Sequence, residues 1–456
     1  MASPTADLHR LLGDRVVTDP DVATGFASDA YPQAQPLSGT EFTVVRARSR
    51  EDVVTTLRYA AEHRVPVVPQ GGRTATTGAA GALPGGIVLS TAAMTTVEIL
   101  SQERIAVVGP GVINADLRAA AAERGLAYPP DPASSAMCSI GGNVATNAGG
   151  LCCVKYGVTA DYVRGLEVVL PGGEVVRTGR RTAKGVAGYD LTGLFVGSEG
   201  TLGVVTEAVL RLLPLGDPAL TVLAVFPTLA ATLAGVDALR GARHTPSLLE
   251  LLDGPSVDAV QAYGDYGFPL GSGGVLLVQS DRAGHTLEDV EEYAVAMRAA
   301  GASEVAVAED RAEADLLLAG RRALNPALHA KGHRFIEDVC VPVTRLGELV
   351  RRVHVIADAR GLDATCGGHA GDGNLHPCFF YDPDDPASRA AAEAAFDDVV
   401  RAAWELGGTL TGEHGVGVQK RPWLAEELGV AEVARQRAVK TLFDPLGIMN
   451  PGRGIA

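Results

Sequence analysis

The apolar positions change period several times along the chain, and each change marks an element. A helical spacing covers Ala6 to Leu12 and leads into a proline-rich loop. From Thr43 the pattern predicts a strand to Ala47, a helix from Arg50 to His63 and a second strand from Val65 to Pro69. Strands separated by helical segments of about 15 residues are the mark of βαβ units. Further strands follow at Ile87 to Ser90 and from Ile105, then a helix over Asn114 to Arg124. Two more strands, Val163 to Leu170 and Glu174 to Thr178, are joined by the hairpin Pro171-Gly-Gly173. An apolar strand runs from Val204 to Leu213. Pro214-Leu-Gly-Asp-Pro218 is dense in turn formers and predicts a boundary. Beyond it, strands (Leu220 to Phe226, Gly274 to Gln279) alternate with amphipathic helices (Ala230 to Arg240, Thr286 to Ala299). An alanine-rich helix is expected over Ser388 to Leu406. The pattern is that of an α+β chain in four parts: an N-terminal helix and arm (1–40), a first domain (41–215), a second domain (216–405) and a C-terminal segment (406–456).

Composition narrows the class. The chain has 456 residues, 46% of them hydrophobic, which is ample for large cores. A formal net charge of −15 argues against a nucleic-acid surface, which needs clustered Lys and Arg. No apolar run approaches the ~18 residues of a membrane span. The start, Met1-Ala-Ser-Pro-Thr-Ala-Asp7, has neither a basic region nor an apolar core, so no signal peptide is expected. Six scattered cysteines do not make a disulfide framework. These features predict a cytoplasmic protein.

Chemistry concentrates in Cys366-Gly-Gly-His-Ala-Gly-Asp-Gly-Asn-Leu-His-Pro377 and in Gly412-Glu-His-Gly415. His369, His376, Glu413 and His414 are all good metal ligands or proton carriers. Two neutral imidazoles and a carboxylate can hold a divalent cation with a position open for substrate, and the remaining histidine can move a proton. His369 and His376 flank a glycine-rich turn and can face one point, whereas only a fold can bring in Glu413. The alternative is a set of surface histidines in a flexible loop. Upstream lie three glycine-rich turns: Gln70 to Gly81, Ser139 to Gly150 and Gly197 to Gly203. Each sits at a strand end, where backbone N–H groups can face a ligand's phosphates. No Gly-x-x-x-x-Gly-Lys-Ser/Thr is present, and Gly109-Pro-Gly-Val-Ile-Asn114 lacks the third glycine of a nicotinamide-type turn. The residues alone predict a glycine-lined cleft for an extended cofactor of open identity. Cys152-Cys153 reads as a pair of small buried residues rather than a redox couple. Lys155 and Tyr156 either touch the cofactor or pack beside it.

Gln70 to Gly81, Pro129-Pro-Asp-Pro-Ala-Ser134, Ile140 to Gly150 and Gly188 to Gly203 resemble the FAD-binding domain of the vanillyl-alcohol-oxidase/PCMH flavoprotein superfamily. The histidine stretch, Gly412-Glu-His-Gly415 and the ending Asn450-Pro-Gly452 are similar to its D-2-hydroxy-acid dehydrogenase branch, which takes in glycolate oxidase catalytic subunits, D-lactate dehydrogenases and D-2-hydroxyglutarate dehydrogenases. The resemblance spans nearly the whole chain. It implies a PCMH-type FAD domain of two subdomains, an α/β cap (substrate) domain carrying the metal-ligand loop, and a C-terminal segment that returns to complete the active site.

It also implies roles. FAD contacts fall on Gln70, Gly71, Gly72, Arg73, Thr74, Thr77 and Gly78; on Pro130, Asp131, Ser134 and Ser135; on Gly141, Gly142, Asn143, Asn147, Gly149 and Gly150; on Glu199, Gly200, Gly203 and Val204; and on Asn450. His369, His376 and Glu413 match the ligands of Zn2+ or a Mn2+/Fe2+-like cation, with Asp372 and Asn374 orienting the histidines. His414 matches the general base and Arg321 the arginine that binds the substrate carboxylate; the alternative for Arg321 is a solvated helix residue beside Arg322. The family's first turn reads Gly-Thr-Gly where this chain has Arg73-Thr74-Ala75, so Arg73 can pair with the pyrophosphate. That turn holds no histidine, which implies non-covalent FAD. Asn325 and Ile336 replace the threonine and lysine of D-2-hydroxyglutarate enzymes, so a short monocarboxylate such as glycolate or D-lactate is favoured. The electron acceptor (quinone, cytochrome, electron-transfer flavoprotein or oxygen) stays open, and a homodimer is allowed. A transferase like alkylglycerone-phosphate synthase, which uses FAD without net oxidation, is the rival reading.

Overall fold

The structure is a computed structural model that describes residues 4–31 and 37–455. Part of the proline-rich loop expected before residue 40, including Pro32 and Pro36, lies outside the described residues. The chain divides into two compact units. The first comprises residues 1–149, 158–215 and 413–456, and the second residues 150–157 and 216–412. Among the described residues no helix is long and apolar enough to cross a membrane.

The first unit contains two main sheets. One has four strands in the order Val16–Val17, Thr43–Arg46, Ile87–Ser90, Val67–Gln70, with the last three parallel. The helix Arg50–His63 supplies its crossover. Ser49 caps that helix by accepting a hydrogen bond from Asp52 N–H, and Arg64 ends it with φ +53°. The strand expected from Val65 begins only at Val67, because Val65 N–H still bonds to Ala60 C=O and closes the helix. Val53, Leu57 and Ala60 on the helix join Leu8, Val45, Val67, Ile87 and Leu89 in one buried core. The other sheet is antiparallel and five-stranded: Val97–Leu100, Ile105–Val108, Val204–Arg211, Val163–Val169, Val175–Gly179.

One expectation is corrected here. The glycine-rich segment from Ser139 is not simply a turn, since Ile140–Thr146 is a short helix capped by Ser139. Its glycines serve close packing: a Cβ on Gly141 would lie 2.6 Å from Pro110 Cβ.

The second unit is built on an antiparallel eight-stranded sheet. Along the main path the order is Glu304–Val307, Leu220–Phe226, Gly274–Ser280, Leu248–Asp253, Ala364–His369, Asn374–Phe380, Arg334–Ile336, and Val339–Cys340 also pairs with Asn374–Phe380. The helices Gly254–Tyr263 and Arg311–Lys331 share a core with this sheet through Val257, Val260, Leu324 and Leu328 packed on Leu248, Leu252, Val275 and Leu277.

The flexible-loop alternative for the histidine stretch does not survive. Ala364–His369 and Asn374–Phe380 form a hairpin with His369 opposite Asn374 and Gly367 opposite His376. Its turn depends on Gly373, which has φ +88° and whose Cβ would lie 2.1 Å from Val341 O. Gly373→Ala is therefore expected to destabilise this unit by about 2 kcal/mol or more, from left-handed strain plus the clash. Calorimetry of the variant should show its melting transition lowered by about 4 °C or more.

Candidate metal and flavin sites

The register of the second unit's sheet brings ionisable side chains onto one face. Gly367 and His369 alternate with Gly368, and His376 lies opposite Gly367, so the two imidazoles are diagonal neighbours on the same face. Their ring centroids are 5.2 Å apart with planes at 85°. Gly367, on the same face, has no room for a side chain, since a Cβ there would lie 3.0 Å from Leu324 Cδ2. On the next strand Glu250 lies directly opposite His369. His369 Nδ1 is hydrogen-bonded to the Glu250 carboxylate, 2.6 Å from Oε1. The other oxygen, Glu250 Oε2, accepts from Arg321 Nε at 2.6 Å. Burial alone would push the Glu250 carboxyl up, but the adjacent His369 and Arg321 bring it below the usual carboxylate range.

His376 has an acid beside it as well, with Asp338 Oδ1 at 3.7 Å from its Nδ1. Asp338 is fully buried and gathers the end of the unit. It accepts hydrogen bonds from Asn374 Nδ2 (2.8 Å), Thr411 Oγ1 (2.7 Å) and Gly412 N–H (3.0 Å). Asn374 thus bonds to Asp338 and to Val339 C=O (3.1 Å), rather than acting on a histidine as expected. Asp372 accepts from the Asn374 backbone N–H at 3.2 Å, a turn contact. Glu413 and His414 follow Gly412 directly in the chain.

Arg321 is not a solvated helix residue. It is 8% exposed, its Nε is committed to Glu250, and no other hydrogen bond or ion pair holds the guanidinium among the described residues. Arg322 is the solvated neighbour, paired with Asp315 at 3.0 Å. Asn325 accepts from Arg334 NH2 at 3.0 Å. Lys155 and Tyr156 are both engaged by Asp281. Cys152 and Cys153 are half-buried rather than buried, and no cysteine forms a disulfide among the described residues.

In the first unit the glycine segments are knitted to one another. Ser139 Oγ accepts from both Gly72 N–H (3.1 Å) and Gly142 N–H (3.3 Å), and a Cβ on Gly71 would lie 2.2 Å from it. Gln70 donates to Phe26 C=O and Ala80 C=O, and Asn143 Oδ1 accepts from Asn114. Asn114 also donates to Pro130 C=O, Asp131 lies 3.9 Å from Arg118, and the Ser134 and Ser135 carbonyls hold Cys138 and Ala115. Asn147 accepts from Ala160 N–H (2.8 Å), while Asn450 donates to Ala79 C=O (2.9 Å) and Glu199 C=O (2.7 Å). Beyond Gly72, the backbone N–H groups from Arg73 to Gly78 find no partner in the chain among the described residues. A run of unclaimed amides in a turn is a cradle for anionic oxygens.

Arg73 departs from its expected role. It takes φ +60°, a conformation glycine adopts without cost. Its guanidinium lies over the Phe26 ring at 4.8 Å and donates to Gly25 C=O, so it clasps the N-terminal segment rather than reaching for a phosphate.

Glu199, expected to contact the cofactor, spends both carboxylate oxygens on the loop after His414. Oε1 accepts from Val416 N–H (2.6 Å) and Oε2 from Gly417 N–H (2.8 Å). Burial pushes its carboxyl up, against these two bonds and Lys420. Gly415, with φ +84°, has to be glycine here because a Cβ would lie 2.7 Å from Glu199 Oε1. His414 Nε2 is 3.9 Å from the Glu413 carboxylate.

Two buried acids that contact these residues, Glu250 and Asp338, are not among the residues the sequence singles out. Glu250 did carry a signal, as a lone charge inside the apolar run Leu248-Leu-Glu-Leu-Leu252. Asp338 carried none.

Comparison with known proteins identifies the family. The FAD binding domain family matches residues 43–179, and the family of FAD linked oxidases, C-terminal domain, matches residues 218–453. Glycolate oxidase subunit GlcD of Bacillus subtilis is 40% identical over 434 residues, covering 94% of this chain and 92% of that protein. The mitochondrial D-lactate dehydrogenase [cytochrome] of Arabidopsis thaliana is 36% identical, covering 98% of this chain and 79% of that protein. Among solved structures, p-cresol methylhydroxylase superposes with a TM-score of 0.78 at 19% identity, covering 98% of this chain and 95% of that one, which shows the shared fold.

Proposed function

Since the chain belongs to the FAD-linked oxidases and is an FAD-dependent oxidoreductase acting on CH–OH groups, we propose that it oxidises a short D-2-hydroxy acid, glycolate or D-lactate, to the 2-oxo acid. Non-covalent FAD and a divalent cation, Zn2+ or a Mn2+/Fe2+-like ion, are its cofactors in this reading. The observation that carries it is the pairing of His369 and Arg321 through one buried carboxylate, with His376 beside them. That places a candidate metal ligand and a candidate carboxylate binder on a common anchor.

The residues fit both groups. The unclaimed amides from Arg73 to Gly78 suit a pyrophosphate, and the turn has no histidine to bond the flavin covalently. His369, His376 and Glu413 are two imidazoles and one carboxylate, the kinds of donor such cations take. Gly412 is held by Asp338, so Glu413 starts from a defined point in the chain. When bound, the cation acts as a Lewis acid on the substrate oxygens and the flavin accepts the α-hydrogen. Arg321 offers its terminal nitrogens to the carboxylate, where a planar fork suits better than an ammonium. His414 takes the hydroxyl proton. The substrate, an unidentified electron acceptor and a possible second copy of the chain are the partners this reading allows, in a cytoplasmic setting.

The test is dye-coupled oxidation by purified, FAD-replete protein. D-lactate and glycolate should reduce the dye, L-lactate should not, and chelator should suppress the reaction. Turnover with L-lactate equal to that with D-lactate would reject the reading, and FAD retained without any net oxidation would favour the transferase.

A further inference from the structure

The strand Leu248–Asp253 is buried along its whole length, and Glu250 in its middle is 0% exposed. An isolated carboxylate there would be costly, so it persists because both oxygens are engaged. One oxygen receives His369 Nδ1–H and the other receives Arg321 Nε–H, both at 2.6 Å. The two donors come from different elements, the strand Ala364–His369 and the helix Arg311–Lys331.

We propose that Glu250 is a positioning residue that serves two binding events at once, fixing the tautomer and orientation of His369 for the cation and the attitude of Arg321 for the substrate carboxylate. This rests on the reading of His369 as a cation ligand. A carboxylate that accepts from the distal nitrogen of a metal-binding imidazole keeps the other nitrogen deprotonated and raises its basicity. The same charge neutralises Arg321 and holds its Nε edge, which turns the outer nitrogens of the guanidinium toward incoming carboxylate. Only a charged acceptor with two equivalent oxygens satisfies both donors. An amide of the same shape cannot: whichever way it turns, its oxygen accepts from one donor and its NH2 faces the other.

The test uses full-length enzyme loaded with FAD, stripped of metal and titrated with Zn2+ against a chromophoric chelator. KM and kcat for D-lactate are measured in parallel. Glu250→Gln is expected to weaken Zn2+ binding by about 10- to 100-fold and to raise KM. A Glu250→Leu/Arg321→Met double variant removes both charges together and leaves an apolar contact, a change buried ion pairs usually tolerate; it should lose Zn2+ affinity to the same extent. Arg321→Met alone should raise KM and leave Zn2+ affinity unweakened. FAD absorbance and melting temperature verify the fold of each. Wild-type Zn2+ affinity in the double variant, or in a folded Glu250→Gln, overturns this inference while leaving the cation site standing. A wild-type enzyme that takes up no Zn2+, or a His369→Ala variant that binds it normally, overturns the cation reading and this inference with it.

Discussion

On the proposed function, removing divalent cations with a chelator, or replacing His376 with alanine, should lower kcat/KM for D-lactate by about 10³-fold while FAD stays bound. The size follows from what a cation contributes. Polarising the substrate oxygens is worth several kcal/mol in the transition state, and about 4 kcal/mol corresponds to three decades of rate. FAD should be retained because the glycine segments Gln70 to Gly81 and Ser139 to Gly150 owe their shape to Ser139 and Asn114, not to His376. The measurement is steady-state kinetics with metal and flavin content determined on the same sample. A stripped enzyme that turns over at the original rate would remove the cation from the mechanism.

His414→Asn should give the second large effect, a drop in kcat of about 10²- to 10⁴-fold, the usual contribution of a positioned general base. Zn2+ content and FAD content should be close to wild type, since asparagine fills similar space and the following loop is held independently by Glu199 through Val416 and Gly417. Added imidazole should restore part of the rate by taking the proton in place of the missing ring. A variant that loses flavin along with activity would show that the histidine is structural.

Legibility of the chain divides along physical lines. Helices with a clean period were readable: Arg50–His63 and Thr286–Ala299 have the limits their apolar spacing suggests. So were apolar strands such as Leu220–Phe226. The half-exposed edge strand Val97–Leu100 was not anticipated, because its residues show no buried alternation. The helix Ile140–Thr146 was missed because glycines weaken helix propensity, and here the Ser139 cap and close packing override it. Arg73 stands where the resembled turn has glycine, and its charge allowed a pairing with the pyrophosphate; in the fold its guanidinium lies over Phe26, 47 positions earlier in the chain. Glu199 was read as part of a cofactor motif, and the bonds of its carboxylate to Val416 and Gly417 could not be read from the sequence because they span more than 200 residues.

By itself the sequence determined most of the regular elements and supplied the residue kinds that a cation, a proton transfer or a phosphate would call for. These depend on local spacing and on what each side chain can chemically do. Tertiary structure alone decided which acid backs which base. Glu250 meets His369 across 119 residues and Arg321 across 71, and Asp338 reaches Gly412 across 74. Such pairings are set by strand register and helix packing; in the sheet, a shift of one residue would turn Glu250 or His369 to the opposite face.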